Sequence, residues 1–308
     1  MRQSLLLIAV LGTLATSTLA FAEEAAQEEK SNWNITSNFG AVSNYYARGV
    51  SQTWGKPTVQ GGIDVTHSSG FYAGVFGSGV SPNTYPDANT EIDIYAGYNG
   101  EIKAVKGLGY TAGLIGYLYP GGSWKKYVAS NGLPALNPNS GGKWDTYEAN
   151  FGLSYEWLSA KASMTLGDWY GAESKTGWDG GTNGTTYLEL NAAYPLPWWN
   201  LTLIGHVGRL NVAGKLNTAY PTGASTSITM EDNPDYTDYK LGLSKAFKVA
   251  NSDGWNAGVY YVGNNNSEYW GRRGYGGTSF NGRIDAQGVS ESKSLNDNRW
   301  VFSLSRSF

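Results

Sequence analysis

The sequence predicts an all-β chain that closes as a transmembrane, antiparallel, up-and-down β-barrel of 12 strands with short periplasmic turns and long extracellular loops. Three observations carry that expectation. The 308 residues include 42 Gly, 22 Tyr and 12 Trp but only 15% charged residues, a mixture that lowers helix propensity and suits strands joined by turns. Segments of roughly 10 residues alternate apolar and polar side chains with period two, as a barrel wall between lipid and water requires. The connections between those segments alternate short and long along the whole chain, which a barrel anchored at one leaflet produces and a secreted sandwich has no reason to show.

The chain opens on an address. Arg2 supplies a positive region, Leu5 to Ala20 an apolar run, and Ala20-Phe21-Ala22 an A-x-A cleavage site ahead of Glu23. The run is too short and too rich in Thr and Ser for a membrane anchor, so residues 1–22 are expected to be a cleaved secretory signal peptide. Loss of Arg2 leaves 21 basic against 25 acidic residues, a mature charge of −4. Residues 23–31 read as a flexible acidic periplasmic leader, and 32–308 as a single outer-membrane barrel domain.

Twelve segments follow, at 33–46, 57–67, 71–80, 90–99, 108–119, 144–156, 160–170, 186–195, 199–210, 236–247, 255–263 and 298–308. The sixth is the plainest: Tyr147, Ala149, Phe151, Leu153, Tyr155 and Trp157 alternate with Glu148, Asn150, Gly152, Ser154 and Glu156. In the second, Val59, Gly61, Ile63 and Val65 oppose Gln60, Gly62, Asp64 and Thr66. The fourth sets Ile92, Ile94, Ala96 and Tyr98 against Asp93, Tyr95 and Gly97, and the eighth sets Leu188, Leu190, Ala192 and Tyr194 against Glu189, Asn191 and Ala193. In the last, Trp300, Phe302, Leu304 and Phe308 share one face, with Arg306 placed to snorkel near the terminus. The third and fifth alternate less cleanly because Gly fills many positions. Short turns are expected at 68–70, 100–107, 158–159, 196–198 and 248–254, with long loops at 120–143, 211–235 and 264–297. A negative mean hydropathy of −0.37 is compatible with this wall, because averaging over two faces erases the apolar one.

Aromatic residues mark two expected girdles at headgroup level. Trp33, Tyr98, Trp157, Tyr194, Trp198, Trp199, Trp255 and Phe308 fall at the short-turn ends, and Tyr45, Tyr119, Trp144, Trp169, Tyr236 and Trp300 at the long-loop ends. Trp124, Trp178, Tyr269 and Trp270 lie in loops outside either girdle, where aromatic sugar platforms are the alternative reading.

The polar face assigns Arg48, Gln60, Asp64, Asp93, Tyr95, Glu148, Glu189, Lys240 and Arg299 to the pore lining, together with Asn150, Asn191 and Ser244. Acids come mainly from the first eight segments, and bases from the last three plus Lys161, a split that sets a transverse field favouring polar solutes. The competing reading is that these groups are wall salt bridges. Arg272 and Arg273, with Arg283, sit in the longest loop and are the expected constriction.

Several functions are excluded or disfavoured. Without Cys, and with two His, thiolate chemistry and multi-histidine metal sites are out, so no metal site and no cofactor is expected. The charge offers no basic face for nucleic acid. His67 and Ser69 have the spacing of a base and nucleophile, as in an outer-membrane lipid hydrolase, but His67-Ser68-Ser69-Gly70 reads better as a tight turn, so no catalytic residue is assigned. Gly180-Gly181 and Gly274-Tyr275-Gly276-Gly277 open no helix and form no phosphate loop.

The stretch Ser43-Asn44-Tyr45-Tyr46-Ala47-Arg48-Gly49-Val50-Ser51-Gln52, then Pro57-Thr58-Val59-Gln60-Gly61-Gly62-Ile63-Asp64, Ser69-Gly70-Phe71-Tyr72-Ala73-Gly74 and Glu91-Ile92-Asp93-Ile94-Tyr95-Ala96-Gly97-Tyr98, resembles the TorF-type porin family of Gram-negative bacteria. The resemblance implies an outer-membrane location among lipids and a channel, and implies that the barrel-assembly machinery reads the terminal Phe308; passive diffusion of small polar solutes is the expectation from the polar lumen. It names no solute and leaves the oligomeric state open. A plugged structural or adhesive barrel with ligand-binding loops is the alternative, and a secreted lectin the remaining one.

Overall fold

The computed structural model describes residues 31–124, 142–174, 178–215, 234–272, 276–277, 279 and 291–308. The expected signal peptide, nearly all of the acidic leader, and Arg273 and Arg283 lie outside the described residues. Twelve wall strands follow one another: β1 (Trp33–Val42), then, after a small hairpin of β2 (Tyr46–Ala47) and β3 (Val50–Ser51), β4 (Thr58–His67), β5 (Phe71–Gly79), β6 (Thr90–Glu101), β7 (Leu108–Leu118), β8 (Thr146–Tyr155), β9 (Leu158–Thr165), β10 (Thr186–Pro195), β11 (Leu201–Asn211), β12 (Tyr236–Val249), β13 (Ser252–Asn264) and β14 (Arg299–Ser307). Each pairs antiparallel with its neighbour in sequence, and β14 returns to β1, giving a closed barrel in up-and-down order. Helix α1 (Ser267–Trp270) is a single turn in the last connection.

Closure is made by the terminal strand. Asn38 pairs with Ser307 and Val42 with Ser303. Past the last strand residue, Phe308 N–H donates to Ser37 O at 2.8 Å and Ser37 N–H to Phe308 O at 3.2 Å. No sheet edge is left along this seam, which is the condition for a barrel to stand without exposed backbone.

Period-two alternation carries through to burial, with the sense of a soluble protein inverted. On β8, Tyr147, Phe151, Leu153 and Tyr155 are exposed on the outer face while Thr146 and Glu148 are buried inside. Around the wall the exposed set continues with Ile63, Val75, Ile94, Leu114, Leu188, Leu190, Val207, Leu241, Phe302 and Leu304. Leaving a Leu or Phe in water instead of an apolar phase costs about 1.5–3 kcal/mol each, so an outer surface of this kind requires a non-aqueous surround. Inside, small residues make room for large ones. Tyr95 lies over its cross-strand partner Gly74, where any Cβ would stand 2.5 Å from the ring, and this lets its hydroxyl reach Asp64 at 2.5 Å.

The strand bounds depart from expectation most clearly at three places. The first strand ends at Val42 rather than at 46, because the chain then turns into the barrel. The seventh strand is 158–165 rather than 160–170: Leu158 and Ser159 pair with Tyr155 and Ser154, so the turn is Glu156-Trp157, with Glu156 at φ 52°. Neither residue is a favoured turn former, which is why the pattern misplaced it. The turn after β12 shrinks to residues 250–251, with Ala250 at φ 51°.

The larger correction concerns the long-loop end. Tyr45, Tyr119, Trp144, Trp169 and Tyr236 do not form an outward girdle; all are buried, and only Trp300 of that expected set is exposed. They join Phe76, Tyr85 and Trp124 in one packed cluster, and Val50, Trp54, Trp178, Tyr187, Leu210, Tyr269 and Leu295 in a second. Tyr85 stacks on Tyr119 with centroids 4.2 Å apart, and Trp124 on Trp144 at 4.0 Å. Trp124, Trp178 and Tyr269 are therefore core residues rather than exposed sugar platforms. The hydrophobic core of this protein lies within the barrel at its long-connection end.

Candidate functional site

The chain after β1 builds the feature that divides the lumen. Residues 43–57 fold inward as the β2–β3 hairpin, where Tyr46 pairs with Ser51 and Ala47 with Val50. Its two central residues, Arg48 (φ 47°) and Gly49 (φ 73°), both take the left-handed conformation of a tight hairpin turn. Gly49 is required twice over, since a Cβ there would also collide with Asp238 Cβ and Gly263 O. Asn44 ties the base, its Oδ1 accepting from Ser51 Oγ at 2.7 Å and Thr53 Oγ1 at 2.8 Å. Walls hold the rest: Asn264 Nδ2 donates to Gly49 O at 3.0 Å, Tyr85 OH to Gln52 Oε1 at 2.6 Å, and Lys293 Nζ to Trp54 O at 2.8 Å. Burial, together with the neighbouring Arg299 and Lys56 charges, lowers the Lys293 ammonium from its ordinary range.

The tip reaches the far side of the barrel. Arg48 Nη1 and Nη2 donate to Glu148 Oε1 and Oε2 at 2.7 and 2.6 Å, a bidentate, charge-assisted pair. The guanidinium carbon sits 4.3 Å from the centroid of the Tyr187 ring on β10, so the cation is held by charge and by a ring face together. β8 and β10 stand across the lumen from β1, and the hairpin accordingly spans it.

Acids gather on the β4–β8 side. Asp64 accepts from Tyr95, and Gln60 Nε2 donates to Ser78 Oγ at 3.1 Å. Glu91 and Asp93 face inward one strand repeat apart, exposed by 2% and 1%, and Tyr119 OH donates to Glu91 Oε1 at 3.1 Å. The Tyr45 phenol, wholly buried, is raised in pKa by that burial and by the carboxylates of Glu91 and Asp93.

The β9–β12 side carries a continuous network. Lys161 Nζ pairs with Glu189 Oε1 at 2.7 Å. His206 lies between acids, with Nε2 2.8 Å from Asp238 Oδ1 and Nδ1 3.8 Å from Glu189 Oε2, and its Nδ1 is also 2.6 Å from Asn191 Oδ1. Tyr187 OH donates to Asp238 Oδ2 at 2.9 Å, and Lys240 Nζ stands 5.7 Å from the Tyr260 ring centroid. Among the described residues the interior thus holds six carboxylates, Asp64, Glu91, Asp93, Glu148, Glu189 and Asp238, against three cations, Arg48, Lys161 and Lys240. Counted as residues, the acids outnumber the cations by three. The expected opposition of an acidic and a basic wall is replaced by one acidic wall and one internally balanced wall, because Asp238 cancels charge on the latter.

Of the residues expected at the lumen, Arg48 and Glu148 meet each other, Asp64 meets Tyr95, and Glu189 and Lys240 share the network above. Arg299 stands apart: it pairs with Asp297 at 2.7 Å at an exposed rim. Arg272, expected to form a constriction with Arg273, is exposed, and Arg273 lies outside the described residues; among the described residues, the segment crossing the lumen is 43–57. Trp33, Trp157, Trp198, Trp199 and Phe308 are exposed at the short-turn end, and Tyr98 and Trp255 are half-buried there. His67 Nδ1 does lie 2.6 Å from Ser69 Oγ, but in an exposed turn, with Trp33 against the ring at 4.5 Å. Glu91, Tyr187, His206 and Asp238 are among the interior residues that sequence reasoning left out of the lining. Strand parity already placed Glu91 with Asp93, and Asp238 with Lys240.

No curated protein matches the sequence. Solved structures similar in fold include a KdgM porin (8% identity, 89% of this chain and 99% of that chain covered, TM-score 0.44). Others are the COG4313 outer membrane channel from Pseudomonas putida F1 (11%, 92% and 100%, TM-score 0.45) and a NanC porin (10%, 89% and 98%, TM-score 0.40). Residues 26–308 match the family described as "Bacterial protein of unknown function (Gcw_chp)", and this barrel with its hairpin-crossed lumen therefore belongs to the Gcw_chp family.

Proposed function

We propose that the protein is an outer-membrane channel for small polar solutes, preferring cations, whose lumen is narrowed by the 43–57 hairpin. The observation that carries this is the inverted wall: a closed barrel with apolar side chains outside and six carboxylates inside. A structural barrel needs the first but not the second, since buried ions cost more to desolvate than a well-packed apolar interior of similar volume. Net negative charge in a low-dielectric passage raises the local concentration of cations and repels anions. Twelve strands also place the barrel between the side-chain-filled barrels of about 8 strands and open porins of 16 to 18.

In this reading the short turns face the periplasm and the long connections the outside, residues 1–22 direct export, Phe308 serves assembly, and the finer TorF-type resemblance of the first hundred residues marks the hairpin-bearing half. The aromatic clusters favour a second reading, a barrel plugged at its outer end that presents its loops to partners. Reconstitution of refolded protein into planar bilayers separates the two. A channel shows discrete conductance that grows when residues 45–52 are replaced by a short Gly-Ser link; a plugged structural barrel stays silent in both forms.

A further inference from the structure

Glu91 and Asp93 present a problem the fold does not solve by itself. They lie at alternate positions of β6, about 7 Å apart along the strand, and both point into the packed cluster at the long-connection end. Glu91 Oε2 and Asp93 Oδ1 are buried with no donor within bonding distance, and the hydroxyl of Tyr45, which the hairpin carries into the same cluster, faces Glu91 with no other partner. Arg48 is the one cation among the described residues whose charge reaches both acids. It is committed to Glu148 by two short bonds and drawn onto Tyr187. A buried carboxylate with no counter-charge is unstable by several kcal/mol, and two near each other repel as well.

The surroundings suit a positive guest. Tyr119 already donates to Glu91 Oε1 at 3.1 Å. Tyr85 and Tyr119 are stacked, Tyr85 meets Trp144 edge-on at 5.7 Å, and Tyr45 meets Phe76 edge-on at 6.5 Å, so the acids stand beside a cluster of aromatic rings. Among the described residues no three His, Asp or Glu side chains converge as a metal-binding set, and the oxygens gathered here are those of two carboxylates and the phenols beside them.

We infer that Glu91, Asp93 and the Tyr45 hydroxyl form a binding station for a compact monovalent cation, an alkali ion or a small primary ammonium, on the lumen side of the hairpin. The station deepens the cation preference proposed above, yet it is open to test without conductance. Full-length protein is refolded in detergent, and its unfolding midpoint is followed by near-UV circular dichroism and by heat-dependent gel mobility. KCl, NaCl or methylammonium chloride is exchanged for N-methylglucamine chloride at constant ionic strength, the last cation being too bulky for the site.

The midpoint of the wild type is expected to rise with at least one compact cation, and the potassium and methylammonium arms say whether an inorganic ion or an ammonium group fits better. E91Q/D93N is expected to unfold at a higher temperature than wild type in N-methylglucamine, having lost the repulsion, and to show no cation dependence. Tyr45→Phe, which keeps the ring, should weaken the half-saturating concentration severalfold. The inference is overturned if wild type is indifferent to all four salts, if E91Q/D93N keeps the dependence, or if lowering the pH alone reproduces the full stabilisation and cations add nothing, since a proton would then be the occupant. A barrel that never conducts but passes this test would sink the channel and keep the station.

Discussion

At Arg48 the chain sets a guanidinium at the tip of a two-residue turn and carries it across the barrel to Glu148. Truncation to Ala leaves Glu148 buried beside Asp93 with no counter-charge, and breaking a buried pair in this way costs about 3–5 kcal/mol. Arg48→Ala is therefore expected to lower the unfolding midpoint and to raise single-channel conductance by clearing the lumen. The double variant R48A/E148Q should recover much of the stability while keeping the larger conductance; equal instability in both would mean the pair contributes nothing specific. A second residue-scale expectation concerns Gly74. A methyl group there forces the Tyr95 ring off the β5 backbone and breaks its bond to Asp64, an overpacking worth about 1–3 kcal/mol, readable as a loss of near-UV signal with the barrel still formed. Single positions were legible to different degrees. Glu148 and Asp93 follow from strand parity alone. Arg48 is assigned to the lumen by the sequence but without the turn that carries it there, because nothing in Tyr45-Tyr46-Ala47-Arg48-Gly49 distinguishes a strand that continues outward from a hairpin that turns in.

At the scale of elements, twelve period-two segments foretold twelve wall strands, since a wall between two solvents must alternate residue by residue and a one-residue slip would reverse it. The same logic gives an expectation for the outer face. Phe151 lies mid-strand on β8, and Phe151→Arg should cost about 2–4 kcal/mol of stability in bilayers, as a cation does near the midplane. Arg306 escapes this cost near the chain end, its guanidinium lying 4.3 Å from the Phe308 ring centroid. Aromatics were harder to place. Trp33 and Trp199 are exposed and Trp144 and Trp169 are buried, although all four stand near strand ends. The difference is set by what covers them: the short-turn end has too little chain to fold over its mouth, whereas the long connections and the hairpin pack inward there. Local pattern records which face a residue takes but not whether a loop returns to cover it, and for that reason the inward turn of 43–57 does not show in the sequence.

For the molecule as a whole, apolar residues are turned outward and a charged, partly aromatic interior is closed over by connections from one end. The formal charge of −3 over the whole sequence carries no functional meaning by itself. Placed in three dimensions, acids predominate inside, and that distribution is what makes solute choice a testable property. The most direct measurement is the reversal potential of refolded protein in a planar bilayer across a tenfold KCl gradient, recorded for wild type and for the variant lacking residues 45–52. Discrete conductance with a reversal potential displaced toward that of potassium, larger currents in the shortened variant and weaker selectivity when Glu148 and Asp93 are neutralised are the expected results. Silence from both barrels, or a reversal potential displaced toward that of chloride, would contradict a cation-preferring channel.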